Sequence, residues 1–165
     1  MIPSGLTAET LGQSRDLSHS LLALNNASAT ELSWLDAPRL THLVSEAFVC
    51  LYAPPADAML IAFDQNADYD SPNFAWFQDN YERFVYVDRI VVAERARWQG
   101  LATQFYEQLF EHARKAGHTI VACEVNSDPP NPASDAFHDR MGFAPAGSAL
   151  LDNGKTVRYL TRQVI

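Results

Sequence analysis

The sequence predicts an α/β (α+β) chain whose centre is a mixed, mostly antiparallel sheet of six to seven strands. Three observations carry this. Residues Phe84 to Ala116 read as a strand, a basic turn with one glycine, and a long amphipathic helix. Two short apolar runs, Phe48 to Tyr52 and Ala58 to Phe63, are separated only by Ala53-Pro54-Pro55 and so read as two strands joined by a turn. Near the C-terminus, Asn153-Gly154 stands between apolar residues, which is a hairpin signal. At 165 residues and 47% hydrophobic, the chain has the size of one domain, residues 1–165, able to bury a real core.

Taken in order, residues 16 to 25 predict a short helix, with Asp16 as cap and Leu17, Leu21, Leu22 and Leu24 as its apolar positions; Asn25-Asn26-Ala27-Ser28 breaks it. A second helix starts at the cap Asp36 and turns Leu40, Leu43, Val44 and Ala47 to one face. The two short strands follow and lead as an antiparallel pair toward a strand over Phe84–Val92. Residues 64 to 82 are too long for a hairpin and too aromatic for disorder, so they predict a functional loop in which Pro72 opens a short helix. In the central helix Ala102, Phe105, Tyr106, Leu109, Phe110 and Ala113 recur at spacings of three and four, and Gly117 closes it. Thr119–Val125 is a buried strand. Asn131-Pro132 supplies a cap and a proline at the first helical position of a short helix ended by Gly142. A last strand runs through Tyr159 and Leu160.

Bulk properties narrow the function classes. The net charge of −8 argues against nucleic acid and anionic membrane as partners. No apolar run approaches the ~20 residues of a membrane helix, and the N-terminus lacks the order of a signal peptide, so a cytoplasmic location is expected. Cys50 and Cys123 have neither a pairing framework nor metal-ligand spacing, and read as reduced, buried thiols; no metal is expected. Between Arg39 and Arg83 stand seven acids and no Lys or Arg, whereas Arg89, Arg95 and Arg97 follow directly, so one half is built for a cation and the other for an anion. No GxGxxG, Walker-type lysine loop or Gly-x-Ser-x-Gly elbow occurs.

The basic turn after the central strand is the informative motif. Helix N-termini favour phosphate through free N–H groups and the macrodipole, and Gly100 lets a phosphate approach the backbone. Arg97-Trp98-Gln99-Gly100-Leu101-Ala102 fits Arg/Gln-x-x-Gly-x-Gly/Ala, and downstream come TIVACEVN, Asn131-Pro132-Ala133-Ser134-Asp135-Ala136-Phe137-His138 and Met141-Gly142-Phe143. Over roughly residues 84 to 147 this resembles the GNAT superfamily of N-acetyltransferases. The resemblance implies helices on both faces of the sheet, a splayed parallel strand pair, and acetyl-CoA as co-substrate. It implies that pyrophosphate lies on Arg97, Trp98, Gln99, Gly100, Leu101, Ala102 and Thr103, that pantetheine lies along the main chain of Ile90, Val91 and Val92, and that Asn131 belongs to the cofactor site. Two residues depart from the usual pattern: His138 stands where Tyr is common, and Trp98 where a small or polar residue is.

Acetyl transfer to an amine needs a base, a polarised carbonyl and an acid for the thiolate. Glu124 interrupts an apolar run and matches a position that serves as base in part of the superfamily; its structural alternative is a buried ion pair with Arg89 or Arg140. Asp88 is the rival base, and alternation puts Tyr86, Asp88, Ile90 and Val92 on one face. His138 is the candidate acid. The acceptor is expected to be a primary amine, a small cationic one or a peptide N-terminus, met by Asp70, Asn73 and Trp76. The alternative is a non-catalytic acyl-CoA-binding or protein-interaction module of the same fold. The chain is expected to work as a monomer or homodimer.

Overall fold

Local sequence signals account for most of the elements in the computed structural model, which describes residues 3–29 and 32–165. After a two-residue strand β1 (Ser4–Gly5), Thr7 caps α1 (Ala8–Gln13) by accepting from Thr10 N. Ser14, not Asp16, caps α2 (Arg15–Asn26), its Oγ accepting from Leu17 N; Asp16 sits instead in the first turn, where its charge favours the helix. Asp36 caps α3 (Ala37–Glu46), and the first strand pair is β2 (Val49–Ala53) and β3 (Ala58–Asp64). Within the expected loop, Ser71 and Pro72 open α4 (Pro72–Asn80). Then come β4 (Val85–Val92), a 3-10 turn (Glu94–Ala96), and α5 (Leu101–Lys115). The chain finishes with β5 (Ile120–Asp128), α6 (Pro132–Arg140, capped by Asn131), β6 (Ala144–Leu150) and β7 (Thr156–Gln163).

The strands lie in the order β1-β2-β3-β4-β5-β7-β6, and every neighbouring pair is antiparallel except β4–β5. The final hairpin closes through residues Leu151 to Lys155, with Gly154 in the left-handed region at φ 84°, so Asn153-Gly154 marks a five-residue connection rather than a two-residue turn.

The sheet separates two cores. On one face α5 buries Leu101, Phe105, Tyr106, Leu109, Phe110 and Ala113 against Leu60, Val85, Val87, Val121, Cys123 and Phe143, and α6 adds Phe137. On the other, α1 to α4 bury Leu11, Leu21, Leu40, Leu43, Phe74 and Phe77 against Met59, Ile61, Phe63, Tyr86 and Tyr159. Each large side chain buried from α5 contributes about 1.5–3 kcal/mol, so truncating Phe105, fully buried, would cost about 3–5 kcal/mol once the cavity is included. Among the described residues no helix is long and apolar enough to cross a membrane.

Candidate active site

The parallel strands β4 and β5 pair only at Val85–Val121 and Tyr86–Ala122, so beyond Tyr86 the rest of β4 has no parallel partner on that side. A bulge shapes the same stretch. Ile61 of β3 faces Arg89 and Ala62 faces Val87, which leaves Asp88 as the extra residue. The inserted residue shifts the alternation by one place. Ile90 and Val92 therefore pack with Val85 and Val87 on the α5 face, whereas Tyr86, Arg89 and Val91 turn to the face of α1 to α4. The expected common face for Tyr86, Asp88, Ile90 and Val92 is thus broken by the bulge, because strict alternation holds only for an uninterrupted ladder.

Between β4 and α5 the chain reverses over Arg97 to Gly100. Gly100 is the N-cap of α5 in left-handed conformation, φ 76°, and no side chain caps this end, so the first-turn N–H groups of Leu101, Ala102 and Thr103 are left for an outside acceptor. Nothing lies within 4 Å of where a Cβ on Gly100 would stand. Buried Ala96 and Leu101 anchor the turn while Arg97, Trp98 and Gln99 are exposed; Trp98, fully exposed, also has positive φ, 67°. The residues present fit a diphosphate at an open helix N-terminus. Of the arginines expected around it, Arg97 makes no ion pair among the described residues. Arg95 is tied to Asp57 at 2.6 Å, and Arg89 is buried on the other face, so the anion-facing charge is smaller than the run of arginines implied.

Glu124 lies two positions past the last parallel pair, where β4 and β5 part. Its neighbours Cys123 and Val125 point to α5, so alternation turns Glu124 toward α4. There Asn73 Nδ2 donates to Glu124 Oε1 at 3.2 Å, and the Tyr159 hydroxyl donates to Asn73 Oδ1 at 2.9 Å. The residue is half-buried, and Oε2 is buried without a hydrogen-bond partner among the described residues. The Tyr86 hydroxyl lies beside the carboxyl, close enough to favour its charged form but outside hydrogen-bonding geometry. Burial, with a smaller push from the Asp88 charge, raises Glu124 from 4.5 to about 8. Neither Arg89 nor Arg140 pairs with it.

Asp88 is instead the centre of a closed network. Tyr69 donates its hydroxyl to Oδ1, and Arg89 Nε donates to Oδ2 at 2.7 Å. Arg89 continues to Asn25 Oδ1 at 2.8 Å and Ser33 Oγ at 3.0 Å, which binds the end of α2 to the bulge. With both oxygens engaged and a guanidinium beside it, Asp88 is arranged as an ion-pair partner. The structure does not bring Asp70 into this group: its side chain is 85% exposed and paired with Arg39 at 2.6 Å, and the hydrogen bond from Arg39 lowers its pKa. Trp76 lies near, stacked on Tyr159 with ring centres 4.3 Å apart and planes 18° from parallel. Gly147 makes this possible, because a Cβ there would stand 2.5 Å from Trp76 Cζ2.

His138 is buried on the α5 face among Tyr106, Phe137 and Phe143. Its Nδ1 is 2.8 Å from the Ser134 carbonyl, which only accepts, so Nδ1 carries the proton. Burial lowers its pKa, and Nε2 accepts from the Tyr106 hydroxyl at 2.7 Å. In this arrangement neither nitrogen has a proton to spare for a thiolate. Asn131 is occupied as the cap of α6, its Oδ1 accepting from Ser134 N at 3.3 Å, and Asp135 joins α6 to Arg158 of β7. Cys50 and Cys123 are free and buried, and burial pushes Cys50 up to about 12, so both are inert packing thiols. Among the described residues no group of three or more His, Cys, Asp or Glu gathers to hold a metal.

Tyr159, Tyr86 and Tyr69 interact with Glu124, a role the sequence did not assign to any of them. Asn73 lies 51 residues from Glu124 and 86 from Tyr159 along the chain, so no local spacing relates them. The readable signals were the interruption of the apolar run by Glu124 and the turn before α4, which marked Asn73 and Trp76 as acceptor residues but not Asn73 as a partner of Glu124.

Comparison with known proteins adds the family. Residues 46–143 match the Acetyltransferase (GNAT) family. The fold superposes on Ard1 from Thermoplasma volcanium with a TM-score of 0.72 at 15% identity, covering 99% of this chain and 97% of that one. An aminoglycoside 6'-N-acetyltransferase complexed with coenzyme A gives 0.72 at 13% identity, covering 100% and 98%. A chain of the NatC complex bound to Gag peptide and CoA gives 0.71 at 11%, covering 99% and 98%. None of the curated protein sequences compared with it matches significantly. The family match spans more than half of the chain and coincides with the splayed strands and the open helix N-terminus, so this chain belongs to the GNAT family of acetyltransferases, acyltransferases that use acetyl-CoA.

Proposed function

We propose that the protein acetylates a cationic primary amine, a small molecule or the amino end of a peptide, by direct transfer with Glu124 as general base. The observation that carries this is Glu124 itself: a carboxyl at the point where β4 and β5 part, one oxygen held by Asn73 and the other buried and unpartnered. Acetyl-CoA supplies the thioester that the amine attacks. Arg97 and the N–H groups of Gln99 to Thr103, with Trp98 alongside, hold its pyrophosphate, and the β4 main chain at Ile90, Val91 and Val92 orients its arm from the α5 face. Asn131 contributes by capping α6 beside that face. The amine approaches from the face of α4, past Asp70, Asn73 and Trp76, where acids and aromatic rings favour a cation. There Glu124 Oε2, itself buried, receives the amine proton through water; a carboxyl poised near 8 matches an ammonium better than an ordinary carboxylate does. Tyr69 and Arg89 hold Asp88 in place, and burial first, with a smaller push from Asp88, raises the Glu124 pKa. His138, with both nitrogens engaged, orients Tyr106, and solvent supplies the thiolate proton.

The net charge of −8 disfavours nucleic acid and anionic membrane as partners, and the protein is read as a cytoplasmic single domain, monomeric or homodimeric. The test is free-thiol release from acetyl-CoA against a panel of primary amines and amino-terminal peptides. Turnover with at least one, reduced about 10²–10⁴-fold in Glu124→Gln with unchanged acetyl-CoA affinity, is expected. No turnover with any amine, or full turnover in the variant, would overturn the reading.

A further inference from the structure

We propose that Asn73 and Tyr159 are positioning residues for the reaction: a hydrogen-bonded chain from the Tyr159 hydroxyl through the Asn73 amide to Glu124 Oε1 holds the carboxyl with Oε2 free for the acceptor. This rests on the reading of Glu124 as base. An amide carries hydrogens only on Nδ2 and accepts only at Oδ1, so the partner on one side decides what the other side offers. Tyr159 OH, 2.9 Å from Asn73 Oδ1, must donate there, and Nδ2 is thereby turned to Glu124 Oε1 at 3.2 Å. Against the ionised carboxylate the flipped amide would set Oδ1 against an acceptor, two acceptors facing each other, so it is the charged form of Glu124 that this orientation serves. The orientation is fixed further back, because Tyr159 is 1% exposed and its ring is clamped by Trp76, which in turn lies against Gly147. With Oε1 of the carboxylate held by the Asn73 donor, the proton comes and goes at Oε2, the atom left without a partner.

The chain also acts on ionisation. Glu124 is faced by Tyr86 and by Asp88, paired with Arg89, from β4, by Tyr69 from the loop before α4, by Tyr159 from β7, and by Asn73, and it interacts through space with Tyr106 of α5 across the sheet. Burial and the Asp88 charge disfavour its charged form, and the Asn73 donor favours it. Removing that donor should move the ionisation of Glu124 to higher pH.

The experiment compares the pH dependence of kcat/KM for the wild type, Asn73→Leu, Tyr159→Phe and Glu124→Gln, with the carboxyl titration of Glu124 followed by NMR in the protein without substrate. Asn73→Leu should shift the acidic limb and the titration upward by about one pH unit, a loss of about tenfold in kcat/KM at neutral pH, with KM for acetyl-CoA unchanged. Tyr159→Phe keeps the ring that Trp76 stacks on, so it carries the test if the leucine variant does not fold; it should shift both in the same direction by less. A limb abolished in Glu124→Gln but unmoved in the other two would overturn the positioning role alone. A limb retained in Glu124→Gln would overturn the base assignment, and the positioning role with it.

Discussion

Replacing Glu124 by glutamine should remove a pH-dependent weakness from the protein. In the folded chain burial raises this carboxyl to about 8, whereas in the unfolded chain it ionises near 4.5. Between those values the folded state keeps a proton that the unfolded state releases. A folded pKa raised above the unfolded one contributes stability that is fully present below the lower value and is lost as pH rises through the upper one. The slope is roughly 1.4 kcal/mol per pH unit for one proton, so the loss between about pH 5 and pH 8 approaches ~4 kcal/mol; partial solvent access to the residue lowers this to about 2–4 kcal/mol. Glutamine has the same shape and no charge at any of these pH values. The two proteins should therefore unfold at similar urea concentrations near pH 5 and diverge as pH rises, with the variant the more stable. For a slope of about 2 kcal/mol per molar urea, the midpoints should separate by roughly 1–2 M at pH 8. Midpoints that keep a constant separation from pH 5 to pH 8 would refute the burial argument and leave Glu124 an ordinary, ionised carboxylate.

Other substitutions probe the remaining parts. Gly100→Glu fills the open space at the α5 N-terminus with a bulky anion, and acetyl-CoA binding measured by calorimetry should disappear; unchanged affinity in a folded variant would remove the loop from the cofactor site. Trp98→Gly should raise the melting temperature by about 2–4 °C, because a fully exposed side chain packs on nothing and its φ of 67° costs about 1 kcal/mol in a non-glycine residue; a lower melting temperature would show that the indole is held by contacts. Gly147→Ala puts a methyl 2.5 Å from Trp76 and should destabilise by about 1–3 kcal/mol in thermal melts, and an unchanged melting temperature would mean that Trp76 moves freely. His138→Phe strands the buried Tyr106 hydroxyl and should cost about 1–3 kcal/mol while turnover per folded molecule persists; lost turnover at unchanged stability would make His138 the acid.

Much of the fold was legible because its signals are local. Asp36, Pro72, Asn131 and Gly117 mark helix ends by side-chain and backbone chemistry that acts within a few residues, and the face of α5 is written in a repeat of three and four. The α1 helix and the strand β1 escaped because six and two residues are too short to display a period. The bulge escaped for another reason. Nothing in VYVDRIVV announces that Asp88 is supernumerary, since the ladder of β3 decides it, and the predicted faces of Ile90 and Val92 failed there. The site divides the same way. Gly100 and its neighbours were readable as an open, glycine-capped helix start, whereas the company of Glu124 comes from β4, α4 and β7 together and exists only after the sheet has formed. The acidic run was legible as charge but not as geometry, since Asp70 faces Arg39; Asp88, beyond the run, faces its own neighbour in the chain.

The short parallel contact between β4 and β5 has a mechanical consequence. Strands β1 to β4 form one antiparallel block and β5, β7 and β6, in that order, another, and the backbone ladder joins them through two residue pairs alone. The sheet is thus two stiff plates with a compliant seam, tied across by α5 packing on both. Breathing along that seam demands few broken hydrogen bonds, so amides beside it should exchange with solvent at lower free energy than those inside either plate. A molecule whose amide groups bond to β4 while its body fills the gap to β5 would act as a splint, and its binding would be felt as rigidity in both plates at once.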